Sequence, residues 1–148
     1  MPNWCEGVLK VRGVKENLLE FLTKGLQPLG VGKNEPPELD ECGYIKLSKQ
    51  NYIEGTRRGF VYVDDELWIN DKAEKPVVCV NAKFAWGISA EELLETCKKY
   101  KVDMKIYAFE RGMCFNQDIE IVDGKIVRDE EIEFDDYEWE CINPTLGG

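Results

Sequence analysis

The chain has 148 residues and a formal net charge of -10, with 43% apolar, 32% charged and 11% aromatic residues. This length predicts one domain that buries roughly 70% of the surface of the unfolded chain, so neither a metal nor a disulfide is needed to hold its core. The chain contains no histidine, which excludes Ser/His and Cys/His nucleophile pairs, imidazole bases and His-containing zinc sites. If the protein is an enzyme, carboxylates or arginines must carry the chemistry.

The first third of the chain predicts one strand, one helix and a long loop. Residues 3–11 are rich in strand-forming apolar side chains. Over residues 15–25, apolar side chains recur at helical spacing, which predicts an amphipathic helix. Residues 27–57 contain a Pro-Pro pair and several glycines without clear periodicity, apart from a strand-like stretch at 44–47. We therefore expect an inserted loop at about 27–57.

The middle of the chain predicts a hairpin, a further strand and a second helix. Residues 59–63 and 67–69 are β-branched and aromatic, and the Asp64-Asp65 pair between them favours a turn. Residues 76–84 predict another strand. Ser89, with Glu92 three positions later, has the capping-box pattern and predicts a helix over 89–100.

The last third of the chain predicts antiparallel strands at 103–109, 117–122 and 125–127, the last two joined by an Asp-Gly turn. Apolar and acidic residues then alternate, which predicts an acidic strand segment over 129–141. The order of the elements indicates an α+β protein, a single ferredoxin-like domain over 1–148 with two helices on one face of an antiparallel sheet.

The six cysteines contain no Cys-x-x-Cys pair, and the chain has no signal-peptide pattern at its start and no apolar run long enough to span a membrane. These features predict free, mostly buried thiols, a cytoplasmic location and no contact with a membrane. No cofactor or metal site is expected. Acidic pairs such as Asp64-Asp65 and Asp135-Asp136 are interpreted as turn residues because the spacing of a calcium loop is missing.

The C-terminal segment concentrates the negative charge. Every lysine and arginine lies within residues 1–128, whereas the segment that follows carries eight acidic residues. They are Asp129, Glu130, Glu131, Glu133, Asp135, Asp136, Glu138 and Glu140. One interpretation is an edge strand whose charges discourage edge-to-edge pairing. The other is a surface that binds a basic partner protein in place of nucleic acid, since alternate strand residues are spaced by roughly 6.6 to 7 Å, close to one phosphate step. Direct binding of nucleic acid is not expected.

Two other groups of charged residues are candidates for a small-ligand site. Arg57 and Arg58 lie between two glycines and carry the donors that bind phosphate. Glu110 and Arg111 precede Gly112 at the end of a predicted strand, where a solvated turn is the simpler interpretation. These four residues define the alternative hypothesis of a nucleotide- or phosphate-binding module or enzyme.

Two stretches of the chain resemble a known family. The opening Met-Pro-Asn-Trp-Cys and the segment from the Ala-Trp-Gly turn at 85–87 to the Glu-Arg-Gly-Met-Cys-Phe run at 110–115 are similar to the YubB-type or Api-like family of small phage and plasmid proteins. The family usually has Asn after the opening five residues, Pro-Pro after the Trp turn and Gly after the final Phe. This chain has Glu6, Ile88-Ser89 and Asn116 at those places.

The resemblance covers residues 1–13 and 84–125. It implies a ferredoxin-like fold and an origin in a mobile element, and it transfers no catalytic residue. Together with the acidic segment, it favours a non-enzymatic binding protein that inhibits a host nucleic-acid-handling defence system, for example a CRISPR-Cas effector, in a bacterial cytosol. A structural or accessory phage protein is a further alternative.

Overall fold

The computed structural model describes residues 1–30, 39–64 and 66–148. Within these ranges the chain forms ten strands and three short helices. In chain order they are β1 (Trp4–Arg12), α1 (Lys15–Glu20), β2 (Leu26–Pro28), β3 (Tyr44–Lys46), β4 (Gln50–Ile53), β5 (Gly59–Tyr62), β6 (Glu66–Trp68), β7 (Val77–Ala85), α2 (Ala90–Tyr100), β8 (Asp103–Glu110), β9 (Phe115–Val122), β10 (Lys125–Glu133) and α3 (Tyr137–Glu140). Helix α1 runs directly into a π-helical turn, Phe21–Gly25.

Eight of these strands form one antiparallel sheet in the order β10-β9-β8-β1-β7-β5-β4-β2, and β3 pairs with β6 in a separate two-stranded sheet. The central strand β1 pairs with β7 along one side and with β8 along the other. Strands β10 and β2 are therefore the two edges of the large sheet.

The alternation of side chains along the central strands divides the sheet into two unlike faces. Leu9, Val80, Ile106 and Ile119 are fully or almost fully buried on the face that carries the helices. Helix α2 contributes Leu93 and other apolar residues to the same core. The opposite face carries partly exposed polar and charged residues. No helix of the described chain is long and apolar enough to cross a membrane.

The predicted ferredoxin-like fold is wrong. That fold has four strands and two helices in a βαββαβ order, whereas this molecule is mostly antiparallel strand with little helix, and its main sheet has eight strands. The long strands were visible as alternation in the sequence. Strands β2 and β4, which were not predicted, are three and four residues long, and a segment of that length is too short to show a period.

The loop predicted at about 27–57 is also partly wrong, because β2 and β4 lie within or overlap that range, whereas β3 corresponds to the strand-like stretch predicted at 44–47. Residues 31–38 lie outside the described residues. The predicted hairpin of 59–63 with 67–69 does not form. Strand β5 pairs instead with β4 and β7, and β6 pairs with β3. The predicted turn residue Asp65 is outside the described residues.

The predicted strand over 129–141 ends early, at Glu133, and Tyr137–Glu140 is a helical turn. Tyr137 and Cys141 are four positions apart and both buried, and the amide of Cys141 donates to the carbonyl of Tyr137 at 3.0 Å. Both side chains contact Asn116 of β9. One helical turn is the backbone arrangement that brings both side chains onto the sheet.

Candidate functional site

The acidic C-terminal residues are all exposed and belong to the edge strand β10 and the turn that follows it. Asp129 lies opposite Ile119 and Glu131 opposite Gln117, which places these carboxylates on the side of the sheet that carries the helices. Glu130 lies opposite Asp118 and so occupies the other side. The eight acids therefore surround one edge of the molecule instead of forming a single row. We call residues 129–140 the acidic edge.

None of the eight carboxylates of the acidic edge forms an ion pair with a lysine or arginine of the described chain. On the neighbouring sheet surface, by contrast, carboxylates are neutralised: Glu6 by Lys83 at 3.0 Å and Asp118 by Arg128 at 2.9 Å. The acidic edge therefore keeps an uncompensated negative field at the surface.

Two apolar side chains stand exposed within or beside the acidic edge. Trp139 is 86% exposed and Ile142 is 87% exposed. The turn that presents Trp139 is fixed from below, since the Tyr137 hydroxyl donates to Asn116 Oδ1 at 2.8 Å and the Asn116 amide donates to Cys141 Sγ at 3.4 Å. Burial raises the pKa of Cys141, but the hydrogen bonds from Tyr137 and Asn116 outweigh it and hold that pKa below its usual value. The exposed side chains are thus carried on an anchored segment.

A cleft of about 450 Å³ opens between the loop before β5 and the turn that leads from β7 into α2. The cleft is lined by residues of the loop before β5, of the end of β7 and the start of α2, and of β9 and β10. They are Thr56, Arg57, Arg58, Phe84, Ala85, Trp86, Gly87, Ile88, Ser89, Glu92, Phe115, Gln117 and Glu131. The structure therefore places the predicted ligand residues Arg57 and Arg58 in a cavity, together with Glu131 of the acidic edge.

Trp86 at this cleft has a backbone conformation that is unfavourable for its residue type. Its φ is 68°, a left-handed conformation that costs a non-glycine residue on the order of 1 to 3 kcal/mol and persists only where the surrounding structure imposes it. Its side chain is 60% exposed. The Trp86 amide donates to the carbonyl of Asn3 at 2.8 Å. Two residues further on, Gln117 accepts from the amide of Ile88 at 2.8 Å and donates to its carbonyl at 3.0 Å. These contacts hold the turn and with it the exposed ring.

Glu110 and Arg111 do not line this cleft. The Glu110 side chain is completely buried, and its carboxylate accepts hydrogen bonds from the amides of Gly112 at 2.7 Å and Met113 at 2.8 Å. It closes the turn between β8 and β9. The structure does not bring these two residues together with Arg57 and Arg58. Trp86 and Gln117 are the cleft residues that the sequence reading missed, although the Trp-Gly pair before the capping box was a visible signal.

Within the described ranges, no group of three or more Cys, Asp or Glu residues is arranged to hold a metal ion. Of the acids in the predicted turns, Asp64, Asp135 and Asp136 are exposed, and Asp65 lies outside the described residues. All six cysteines are unpaired in the structure, three of them buried and three exposed.

Comparisons of the chain with protein-family models, with curated proteins and with solved structures found no match. The resemblance noted over residues 1–13 and 84–125 therefore stays a prediction.

Proposed function

We propose that this protein is a non-enzymatic binding protein that docks on a basic partner protein through the acidic edge. The observation that carries the proposal is that all eight carboxylates are exposed and that none forms an ion pair with a lysine or arginine of the described chain. A basic partner supplies the missing counterions when it binds, so association removes repulsion among the carboxylates as well as adding attraction between the chains.

The exposed apolar residues support docking by a protein rather than by a small cation. Trp139 and Ile142 are both more than four-fifths exposed and lie in an anchored segment. Tryptophan is enriched among the residues that contribute most to binding energy at protein interfaces. When a partner covers Trp139, the apolar area that is buried adds to the attraction between the carboxylates and the partner's basic groups. Long-range attraction by the carboxylates speeds the encounter, and the aromatic contact slows dissociation.

The proposed partner is a nucleic-acid-handling host defence protein in a bacterial cytosol, for example a CRISPR-Cas effector. Such a protein presents a basic groove that binds phosphates, and carboxylates compete for the same groove. Asp129, Glu131 and Glu133 share one side of β10, where alternate residues are spaced by roughly 6.6 to 7 Å. Only the carboxylates on this side of β10 imitate a row of phosphates, since the remaining acids lie on the opposite side or in the turn.

The test is a charge reversal of Glu131, Glu133 and Asp135 to Lys. Each change is at an exposed position, so the free energy of unfolding should change by roughly 0.5 kcal/mol or less per residue. Capture of the partner from a bacterial lysate that carries defence systems should be lost. Capture by the unchanged protein should weaken as salt rises, because screening acts beyond about 8 Å at physiological ionic strength.

The matched control reverses three exposed acids elsewhere, Glu16, Glu74 and Glu91, which makes the same change in net charge. This variant should keep its partner. Trp139→Ala should weaken capture without changing its salt dependence. If both triple variants lose the partner equally, net charge and not the acidic edge governs binding. If neither does, the acidic edge serves only solubility and protection of the sheet edge.

A further inference from the structure

The cleft beside Trp86 has the dimensions and the chemical groups of a small-molecule site. Its volume of about 450 Å³ falls within the range of about 300 to 1,000 Å³ that is typical of ligand pockets. Its apolar wall is formed by Phe84, Ile88 and Phe115. The groups that can recognise a ligand are two arginines, the Trp86 ring and the Glu131 carboxylate. The partner-docking proposal uses none of these groups except Glu131.

The two arginines are exposed cations at one flank of the cleft. Neither Arg57 nor Arg58 forms an ion pair with a carboxylate in the part of the chain that is described. Their loop is held, since the backbone amide of Arg57 donates to the Glu92 carboxylate at 2.8 and 3.2 Å. The guanidinium of Arg58 lies 5.9 Å from the centre of the Trp4 ring. Arginines at consecutive positions that have no carboxylate partner are suited to bind a phosphate group through paired hydrogen bonds, and the Arg58 guanidinium would leave the Trp4 ring to do so.

The tryptophan is a stacking surface that the fold holds in place. Trp86 is 60% exposed, its amide donates to the carbonyl of Asn3, and the Gln117 side chain holds the backbone of Ile88 two residues further on. An exposed ring on an anchored backbone offers an aromatic face on which a planar group can stack. Trp86 therefore adds a preference for an aromatic ring to the anion site.

The carboxylate of Glu131 lies on the opposite flank of the cleft from the arginines. Strands β7, β1, β8 and β9 separate β5, which follows the arginine loop, from β10, which carries Glu131. An ionised carboxylate only accepts hydrogen bonds. The cleft thus offers donors at one flank, an aromatic surface between, and an acceptor at the other flank.

We propose that this cleft binds a nucleoside 5′-monophosphate whose base carries an exocyclic amino group. The phosphate binds Arg57 and Arg58, the base stacks on Trp86, and the amino group donates to Glu131. A longer nucleic-acid strand is disfavoured, because the uncompensated carboxylates of the acidic edge continue from Glu131 and repel further phosphates.

The experiment is calorimetric titration of the full chain with AMP, CMP, GMP, UMP and inorganic phosphate. The three nucleotides with an amino group should bind saturably, UMP should bind more weakly because uracil lacks that group, and phosphate alone should bind weakest. The absence of saturable binding for all four nucleotides would overturn the proposal, as would phosphate binding as tightly as the nucleotides.

Variants then assign the contacts. Trp86→Gly removes the ring at a position whose φ of 68° suits glycine, so this variant stays folded and should lose about tenfold or more in affinity. Arg57→Gln with Arg58→Gln should lose at least as much. Glu131→Gln should reduce the preference for AMP, CMP and GMP over UMP. Arg111→Gln, an exposed arginine outside the cleft, and Trp139→Ala should bind as the unchanged protein does; unaltered affinity in Trp86→Gly would refute the assignment.

Discussion

At the scale of single residues, buried polar side chains are satisfied by hydrogen bonds. No buried side-chain nitrogen or oxygen atom of the described residues lacks a hydrogen-bond partner, as is normal for native proteins. Glu110 shows the consequence for function, since its two carboxylate oxygens are already used by the amides of the turn it closes. Arg57 and Arg58 are also charged, with the opposite sign, but remain exposed. Glu110 is therefore a structural residue, whereas Arg57 and Arg58 are candidate ligand residues. The difference lies in burial and hydrogen-bond partners, which cannot be seen in the sequence.

Two buried thiols make stability depend on pH. Burial, with smaller contributions from nearby carboxylates, raises the pKa of Cys5 to about 12, and burial with Asp103 raises that of Cys97 to about 12. In the unfolded chain both titrate near the usual value of about 8.5. Between these values the unfolded state binds fewer protons than the folded state, so stability is complete below about pH 8.5 and falls as pH rises.

We expect the free energy of unfolding of the reduced protein to fall by about 2 kcal/mol between pH 7.5 and 9.5 through these two groups. Urea unfolding at several pH values measures this. Cys141, with its lowered pKa, acts in the opposite sense, so the comparison is made with Cys5→Ala/Cys97→Ala, in which the fall should disappear. The exposed Cys79→Ala should keep it. An equal slope in all three proteins would contradict the assignment.

At the scale of elements, long segments were predictable, whereas the short strands β2 and β4 and the pairing of the other short strands were not. Strands β1, β7, β8 and β9 have eight or nine residues each, enough for alternation to be visible. Helix α2 begins where the capping pattern predicts, with Ser89 Oγ accepting from the Glu92 amide at 3.3 Å. Strands β2 and β4 have three and four residues and are stabilised by pairing rather than by a pattern of their own.

The pairing of the central strand depends on Gly7. A β-carbon built at this position would lie 2.3 Å from the carbonyl oxygen of Tyr107 on β8, so Gly7→Ala must force β1 and β8 apart. We expect a loss of about 1 to 3 kcal/mol in the free energy of unfolding, measured by urea titration. Val8→Ala, at the adjacent position where the side chain is 47% exposed, should cost less than about 1 kcal/mol. Equal costs for the two variants would show that the strands separate freely here.

At the scale of the whole molecule, the sites are made by contacts between distant parts of the chain. The cleft combines residues 56–58, 84–89, 92, 115, 117 and 131, and no local pattern relates them. The sequence did reveal the acids and the Arg pair, because charge and composition need no three-dimensional information. It could not reveal that Glu131 shares a cavity with the arginines, because this depends on strand order in an eight-stranded sheet. The mistaken ferredoxin-like fold has the same cause.

The C-terminal segment packs on the sheet face opposite the helices, and the Asn116 side chain anchors it there by hydrogen bonds to Tyr137 and Cys141. The Asn116 side chain is completely buried; its amide also donates to the hydroxyl of Tyr107 at 3.2 Å, and its oxygen accepts from Tyr137. Asn116→Ala leaves the Tyr137 hydroxyl and the Cys141 thiol without these partners, which weakens the attachment of α3 while the sheet keeps its backbone pairing.

We expect Asn116→Ala to speed cleavage after Glu138 and Glu140 by a glutamate-specific protease by about tenfold or more, because cleavage follows the population in which this segment is detached. Cleavage after Glu120, in the interior strand β9, should change far less, and mass spectrometry of the fragments separates the two. Asn143→Ala, at an exposed asparagine of the same segment, is the matched control and should be cleaved at the original rate. If Asn116→Ala accelerated all sites equally, the segment would unfold only together with the sheet, and the acidic edge would be as rigid as the core that carries it.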